Sequence, residues 1–409
     1  MVESQERLIK KELEFSAKNY KPLPVVLSRG KGVWLWDTDG NKYLDMMSAY
    51  SAVSHGHAHP ELIKVLHQQS KLLGITSRAF YTNTLGPFLE KLIHISGLEV
   101  ALPMNTGAEA VETAIKAARR WAYKTKKVEA NKAEIIVVEG NFHGRTITII
   151  SFSTDIESKE DFGPYTPGFI TIKYDSIDSL KEAITKNTAA LLVEPIQGEA
   201  GIVIPDSKWL PEARKICTEN NVLLILDEIQ SGLGRTGKMF AFEHSSIRPD
   251  GLILGKALGG GLLPISCFLS TKEVMQWLVP GSHGSTFGGF PLAAAIGKRS
   301  LELIEEEKLV ENSKQQGSYL LEELKKIQSP IIKQIRGKGL WIGVEIDTKI
   351  INGRKMSERL LRKGILSKET HASIIRFAPP LIIEKKEIDW AVHTFKETLK
   401  EIEENQIHQ

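Results

Sequence analysis

The chemistry in this sequence starts with an acid and a lysine, each placed after a run of aliphatic residues. Asp227 ends VLLILD, and Lys256 follows GLILG 29 positions later. A buried ammonium is expensive. Burial lowers its pKa and frees a neutral amine to condense with an aldehyde. An aspartate at the end of another buried strand would hold a pyridine nitrogen protonated, and the two together are the chemistry of a pyridoxal 5'-phosphate (PLP) site. The same spacing also suits a plain Asp–Lys ion pair or a solvated lysine.

Three segments could take a phosphate. Asn105-Thr106-Gly107 opens a helical stretch, where free backbone N–H groups and the helix dipole attract an anion; Thr106 could equally be an ordinary N-cap. Gly284–Gly289, GSTFGG, offers two hydroxyls, one on Thr286, or is simply a glycine-rich turn. Gly232–Lys238 fits G-x-x-x-x-G-K, but Met239 stands where a nucleotide loop needs Ser or Thr, and the acidic strand comes before the loop instead of after it.

His55, His57 and His59 alternate in SHGHAHP and would share one face of a strand, as zinc ligands can. Gly56 and Pro60 favour a turn with ordinary hydrogen-bonded histidines, and no metal is expected. Arg145 in NFHGRT and Arg376 in IIRFAPP suit bidentate carboxylate binding or surface ion pairs. Phe142 could stack on an aromatic ring or fill a core.

These residues need a rigid frame, and the composition supplies one. The chain has 409 residues, 42% hydrophobic and 25% charged, with a net charge of +3. That suits a globular protein with two or three structural units and excludes a disordered or collagen-like chain. Charges of both signs are interspersed, so neither nucleic acid nor a membrane surface is an expected partner. The two cysteines lie in apolar stretches, the N-terminal residues have no apolar h-region, and no window is long and apolar enough to span a bilayer. A cytoplasmic setting is expected.

Short runs rich in Val, Ile and Leu recur at 135–139, 146–151, 189–194, 222–228, 250–255 and 264–270. Continuous aliphatic runs suit strands buried on both faces of a mostly parallel sheet. Helical stretches at Ala108–Trp121 and Leu210–Glu219 lie between them, which gives an α/β domain with helices on both faces. Residues 1–45 read as a polar helix and short strands with a turn at Asp39-Gly40, contributing to a smaller domain. Residues 46–290 form the large domain, and 291–409 a small α+β domain.

Taken together, SRAFYTN, LPMNTGAEAVETAIKAARRW, NFHGRT, VEPIQGEAGIVIP, LDEIQSGLGRTGK, LGKALGGGLLPIS, GSHGSTFGG and IIRFAPPL resemble the class III (subgroup II) PLP-dependent aminotransferases, over nearly the whole chain. The likeness implies the type I fold of PLP-dependent transferases and a homodimer with shared active sites. It implies that Lys256 bonds to the cofactor and shuttles a proton. Asp227 would pair with the pyridine nitrogen, Gln230 with the phenolic oxygen, and Phe142 would stack on the ring. Thr106 and Gly107 would hold the phosphate, joined by Thr286 of the second subunit.

Within the family the likeness is to members that transfer the δ-amino group of L-ornithine to 2-oxoglutarate. It implies that Arg145 binds a substrate carboxylate and that Glu199 masks or releases Arg376. Tyr20 and Tyr50 would hold the far end of ornithine. Acetylornithine, 4-aminobutyrate or lysine are the alternative amino donors, and a nucleotide-binding or zinc-binding protein the alternatives outside the family. His143 stands where animal members of this kind carry Trp, a smaller and titratable neighbour for the cofactor.

Overall fold

In the computed structural model, which describes residues 3–407, the aliphatic runs assemble a seven-stranded sheet. Its order is Val100–Met104, Ser266–Ser270, Gly251–Leu254, Leu223–Asp227, Thr188–Val193, Glu134–Val138 and Phe169–Ile172. Five neighbouring strands run parallel, and Ser266–Ser270 is antiparallel to both of its partners. Every residue of Thr188–Val193 and Leu223–Asp227 is buried, as expected of strands covered on both faces. Because these strands are parallel, they end along one edge, and the residues that follow them are brought together there.

Helix Gly107–Trp121 packs on this sheet with Ala110, Ala114, Ala117, Ala118 and Trp121 buried. Its start is fixed by a capping box in which Thr106 Oγ1 accepts from Glu109 N and the Glu109 carboxylate accepts from Thr106 N.

Two smaller sheets flank this core. Ile332–Gly337, Ile342–Ile346, Ile374–Phe377 and Lys368–Thr370 form one, antiparallel throughout. The other joins Leu27–Lys31, Trp34–Asp37 and Lys42–Asp45 to Ile365–Leu366, so the N-terminal strands pair with the C-terminal part of the chain. Among the described residues no helix is long and apolar enough to cross a membrane.

The run at 146–151 is not a strand. It forms a short helix, Ile147–Ser151, capped by Thr146, whose hydroxyl accepts from Ile149 N. β-branched residues favour strands only where a pleated neighbour receives them, and here the N-cap and the burial of Ile149 and Ile150 decide otherwise. Two real strands, Val100–Met104 and Phe169–Ile172, lie at the two edges of the large sheet. The first contains Pro103, which an edge tolerates.

Candidate active site

The edge where the parallel strands end carries the titratable groups. Glu194 follows Thr188–Val193, Asp227 ends its strand, and Lys256 comes two residues after Gly251–Leu254. With Phe142 and His143 from the loop after Glu134–Val138, they line one cavity of about 210 Å³, closed at the other end by Gly107 and Ala108.

Lys256 sits at φ +46°, a left-handed conformation that is costly for a side chain with a Cβ. Burial drives its pKa below the ordinary lysine value, opposed by the charge of Glu199. Asp227 is 5% exposed; its Oδ1 accepts from Ile229 N at 3.0 Å, and Oδ2 lies 2.7 Å from His143 Nδ1. Burial works against a charged His143, yet the bond to Asp227 and the charge of Asp227 hold its pKa above the usual value. Behind them, burial pushes Glu194 up to about 7 while the charge of His143 opposes it. Glu194 accepts from Phe142 N at 2.9 Å and Gly198 N at 3.1 Å, which ties the Phe142 loop to the Glu199 loop.

A second cluster adjoins the first. Arg376, 1% exposed, donates to Glu199 Oε1 at 3.1 Å, Gln230 Oε1 at 3.0 Å and Thr370 Oγ1 at 2.8 Å. Gln230 Nε2 donates to the same Glu199 oxygen at 3.2 Å. Burial would raise the Glu199 pKa, but the charge and hydrogen bond of Arg376 keep it lowered. The Arg376 guanidinium lies 5.3 Å from the centre of the Tyr50 ring. Burial raises the Tyr50 pKa, with Glu199, Tyr20 and Glu369 adding to it and Arg376 opposing. A wider opening of about 800 Å³ reaches this cluster past Phe142, Glu199, Lys21, Arg354 and Glu369.

Tyr50 lies in an unusual piece of backbone. Ser48, Ala49, Tyr50 and Ser51 all have positive φ, at +44°, +47°, +58° and +73°, making one turn of left-handed helix without a glycine. Such a conformation costs roughly 1–2 kcal/mol per residue, so the surrounding structure must impose it.

The structure therefore gathers Lys256, Asp227, Phe142, Gln230 and Gly107 around one cavity, and Tyr50, Glu199 and Arg376 beside it. Three expected residues stand apart. Arg145 is exposed, its guanidinium 5.8 Å from the centre of the Phe142 ring. Tyr20 is 79% exposed, near enough to Tyr50 to act on its ionisation. Thr286 is exposed and does not line this chain's cavity, although its neighbour Ser285 accepts from Asn105 Nδ2 at 2.8 Å. Thr106 is occupied by its capping box, so the free N–H groups at this helix start are those of Gly107 and Ala108.

The readings outside the family lose their sites. In the Gly232–Lys238 loop Arg235 is fully buried, Lys238 points to solvent, and Glu228 is spent accepting from Ala241 N and Phe242 N. Each histidine has its own partner: His55 Nε2 bonds Ser300 O, His57 bonds Asp45, and His59 bonds Glu307, and the His55 and His59 rings meet edge to face at 6.4 Å.

The residues around the cavity fit PLP. Lys256 offers an amine to an aldehyde, and Asp227 offers a carboxylate to a pyridine nitrogen. Phe142 and Ile229 offer apolar walls for a flat ring, and the helix start at Gly107 offers amides to a phosphate. A Cβ on Gly107 would come within 2.9 Å of Ile229 Cδ1, so a side chain there would close the cradle.

A mostly parallel sheet with a buried lysine and aspartate at its carboxyl edge defines a PLP-dependent enzyme, and the chain belongs to the Aminotransferase class-III family, which matches residues 15–399. It is a PLP-dependent transaminase. An ornithine aminotransferase of Brevibacillus brevis is 55% identical over 392 residues, spanning 96% of this chain and 98% of the relative. The structure of the ornithine aminotransferase from Toxoplasma gondii superposes with a TM-score of 0.97 at 41% identity, over 99% of this chain and 96% of that one. An acetylornithine aminotransferase from Elizabethkingia anophelis gives 0.89 at 42%, over 98% of this chain and 100% of that one.

Glu194 and Glu369 were not anticipated from the sequence. Glu194 carried the same signal as Asp227, an acid directly after an aliphatic run. Glu369 lies on a short edge strand, and only the fold brings it to the opening.

Proposed function

We propose that this transaminase moves the δ-amino group of L-ornithine to 2-oxoglutarate, giving glutamate 5-semialdehyde, which cyclises to pyrroline-5-carboxylate, and glutamate. The observation that carries the reading is the Glu199–Arg376 pair at 3.1 Å beside Tyr50. One pocket must accept a cationic diamine and then a dianion. A carboxylate that neutralises Arg376 suits the first, and its release of Arg376 suits the second. The ornithine aminotransferase from Brevibacillus brevis, similar over nearly the whole chain, supports the same reading.

PLP, when bound, supplies an electron sink that acidifies the C–H bond next to the reacting nitrogen. Lys256 Nζ is the amine that would hold the cofactor through its aldehyde and would be freed when the substrate amine takes its place. As a free amine of lowered pKa it then carries the proton away from the substrate Cδ. Asp227, backed by His143, would pair with the pyridine nitrogen. Phe142 would stack on the ring, and Gln230, here bonded to Arg376 and Glu199, would reach its phenolic oxygen. Arg145 takes the α-carboxylate of the dicarboxylic partner, while Tyr20 and Tyr50 hold the α-amino and α-carboxylate end of ornithine.

The working unit in this reading is a cytoplasmic homodimer. Leu72, Phe80, Tyr81 and Phe287 are exposed apolar side chains, with Phe80 at 70% and Tyr81 at 106%. Burying them against a second copy would carry Thr286 of one subunit to the phosphate end of the other. Sedimentation of the purified protein tests the dimer.

The substrate test is a panel of amino donors with the semialdehyde trapped by o-aminobenzaldehyde. Ornithine should exceed acetylornithine, lysine and 4-aminobutyrate clearly. The Elizabethkingia anophelis neighbour favours acetylornithine as the second reading, and a preference for the acetylated donor would establish it.

A further inference from the structure

The left-handed turn at Ser48–Ser51 is held by residues with no part in the chemistry above. Asp45 Oδ1 accepts from Met47 N at 2.9 Å and Ser48 N at 2.7 Å, while its Oδ2 lies 2.7 Å from His57 Nε2. Ser48 Oγ donates to Ala378 O at 2.7 Å, two residues beyond Arg376. Beneath the turn lies Arg235, fully buried without a carboxylate in hydrogen-bond contact. Its Nη1 donates to Leu340 O at 2.9 Å and Pro379 O at 2.6 Å, and its Nη2 to Ser48 Oγ at 3.1 Å and Ser54 Oγ at 3.3 Å. Burial draws its pKa down to about 9, still above neutral pH, so it remains a cation. One guanidinium thus ties together the Gly232–Lys238 loop, the segment just after the strand that carries Arg376, the start of the turn that carries Tyr50, and Ser54, whose hydroxyl donates to the turn's last residue at Ser51 O.

A desolvated cation is a costly way to join four oxygens if joining is all it does. A strained backbone held from several sides is also a costly way to make a turn. Both costs meet at one place: the half-buried Tyr50 ring, 5.3 Å from the Arg376 guanidinium. We infer that Arg235, acting through Ser48 and Ser54, is a positioning residue that holds the left-handed turn so that Tyr50 is presented in one orientation to the far end of the diamine. The inference rests on the ornithine reading, in which Tyr50 meets that end of the substrate.

Arg235→Lys should raise the ornithine KM at least about threefold while leaving the KM for 2-oxoglutarate within about twofold, and that rise should disappear in a Tyr50→Ala background. Ala49 gives a second test, because it is exposed and at φ +47°, where glycine meets no Cβ penalty, so Ala49→Gly leaves no cavity and makes the turn easier to hold. Alone it should leave the ornithine KM within about twofold, and added to Arg235→Lys it should recover part of the loss. An unchanged ornithine KM in Arg235→Lys would overturn the inference. So would an Arg235→Lys effect that survives in full without the tyrosine ring, since the arginine would then act by another route. Should Arg235→Lys fail to fold, Ser54→Ala, which removes one of the guanidinium's acceptors beside the turn, decides by the same split of KM values. Failure of the ornithine reading is seen separately, as no semialdehyde from the unaltered enzyme, and the same comparison then applies to whichever ω-amine it prefers.

Discussion

His143 Nδ1 lies 2.7 Å from Asp227 Oδ2, and both side chains are shut off from solvent. The imidazole stands against the aspartate in the wall of the cavity that both residues line. The Asp227 carboxylate lines the cavity and is the group a protonated pyridine nitrogen would pair with. His143 thus meets the carboxylate on one side and packs against Phe152 on the other.

His143→Leu should weaken PLP retention on the order of tenfold or more, the size of one charge-assisted hydrogen bond. Dialysis followed by the visible absorbance of retained cofactor measures it. His143→Gln, which keeps a donor, should recover part of the loss. Equal retention in the wild type and the Leu variant would mean that Asp227 needs no support.

Glu199→Gln should separate the two half-reactions. The variant keeps the shape and one acceptor but leaves the Arg376 charge uncompensated when a diamine enters. Reduction of the enzyme by ornithine should slow by about tenfold, a loss of about 1.4 kcal/mol. Reoxidation by 2-oxoglutarate should hold or improve, because Arg376 is already free. Single-turnover measurements of each half resolve this, and equal slowing of both would remove the gating role from Glu199.

Glu199 also sets a pH limit. Its folded pKa is below the unfolded value, so its contribution to stability is complete above the unfolded value and is lost only as pH falls through the folded one. Discrimination between ornithine and glutamate should accordingly persist from pH 8 down through the ordinary carboxylate range near pH ~4.3. Competition assays across that range check it; discrimination that fades near pH 6 would mean the pair had already opened.

The acid and the lysine were legible in the sequence because each follows a strand buried on both faces, and such strands leave a continuous aliphatic trace. Glu194 left the same trace after AALLV and could have been found by the same rule. The turn at Ser48–Ser51 left none. SAYS contains no glycine, and nothing local in those four residues asks for a left-handed conformation. It is imposed by Asp45 and by Arg235, which is distant in sequence. Arg235 lies inside a G-x-x-x-x-G-K spacing that points to its glycines and lysine, and the burial of a single cation is a property of the assembled fold. The short helix at Ile147–Ser151 shows the opposite error, a β-branched run whose local preference was overruled by a cap and by packing.

Lys256 gives the last prediction, for the apoenzyme. Burial lowers its pKa from the ordinary lysine value, so the folded state binds fewer protons than the unfolded state between the two pKa values. Stability must then rise with pH through that window and level off above about 10.4, where both states are neutral. Lys256→Met removes the charge and keeps a flexible chain of similar length at the same strained φ of +46°. The backbone cost cancels in the comparison, which leaves the desolvation of the amine. The Met variant should melt higher than the parent at pH 7, by about 2 °C for a chain of this length, and the gap should close toward pH 10. Thermal midpoints of the two cofactor-free proteins at several pH values provide the measurement. A gap that stays constant across the range would mean that Lys256 titrates alike in both states, and the neutral amine needed for bonding to PLP would have to come from elsewhere than burial.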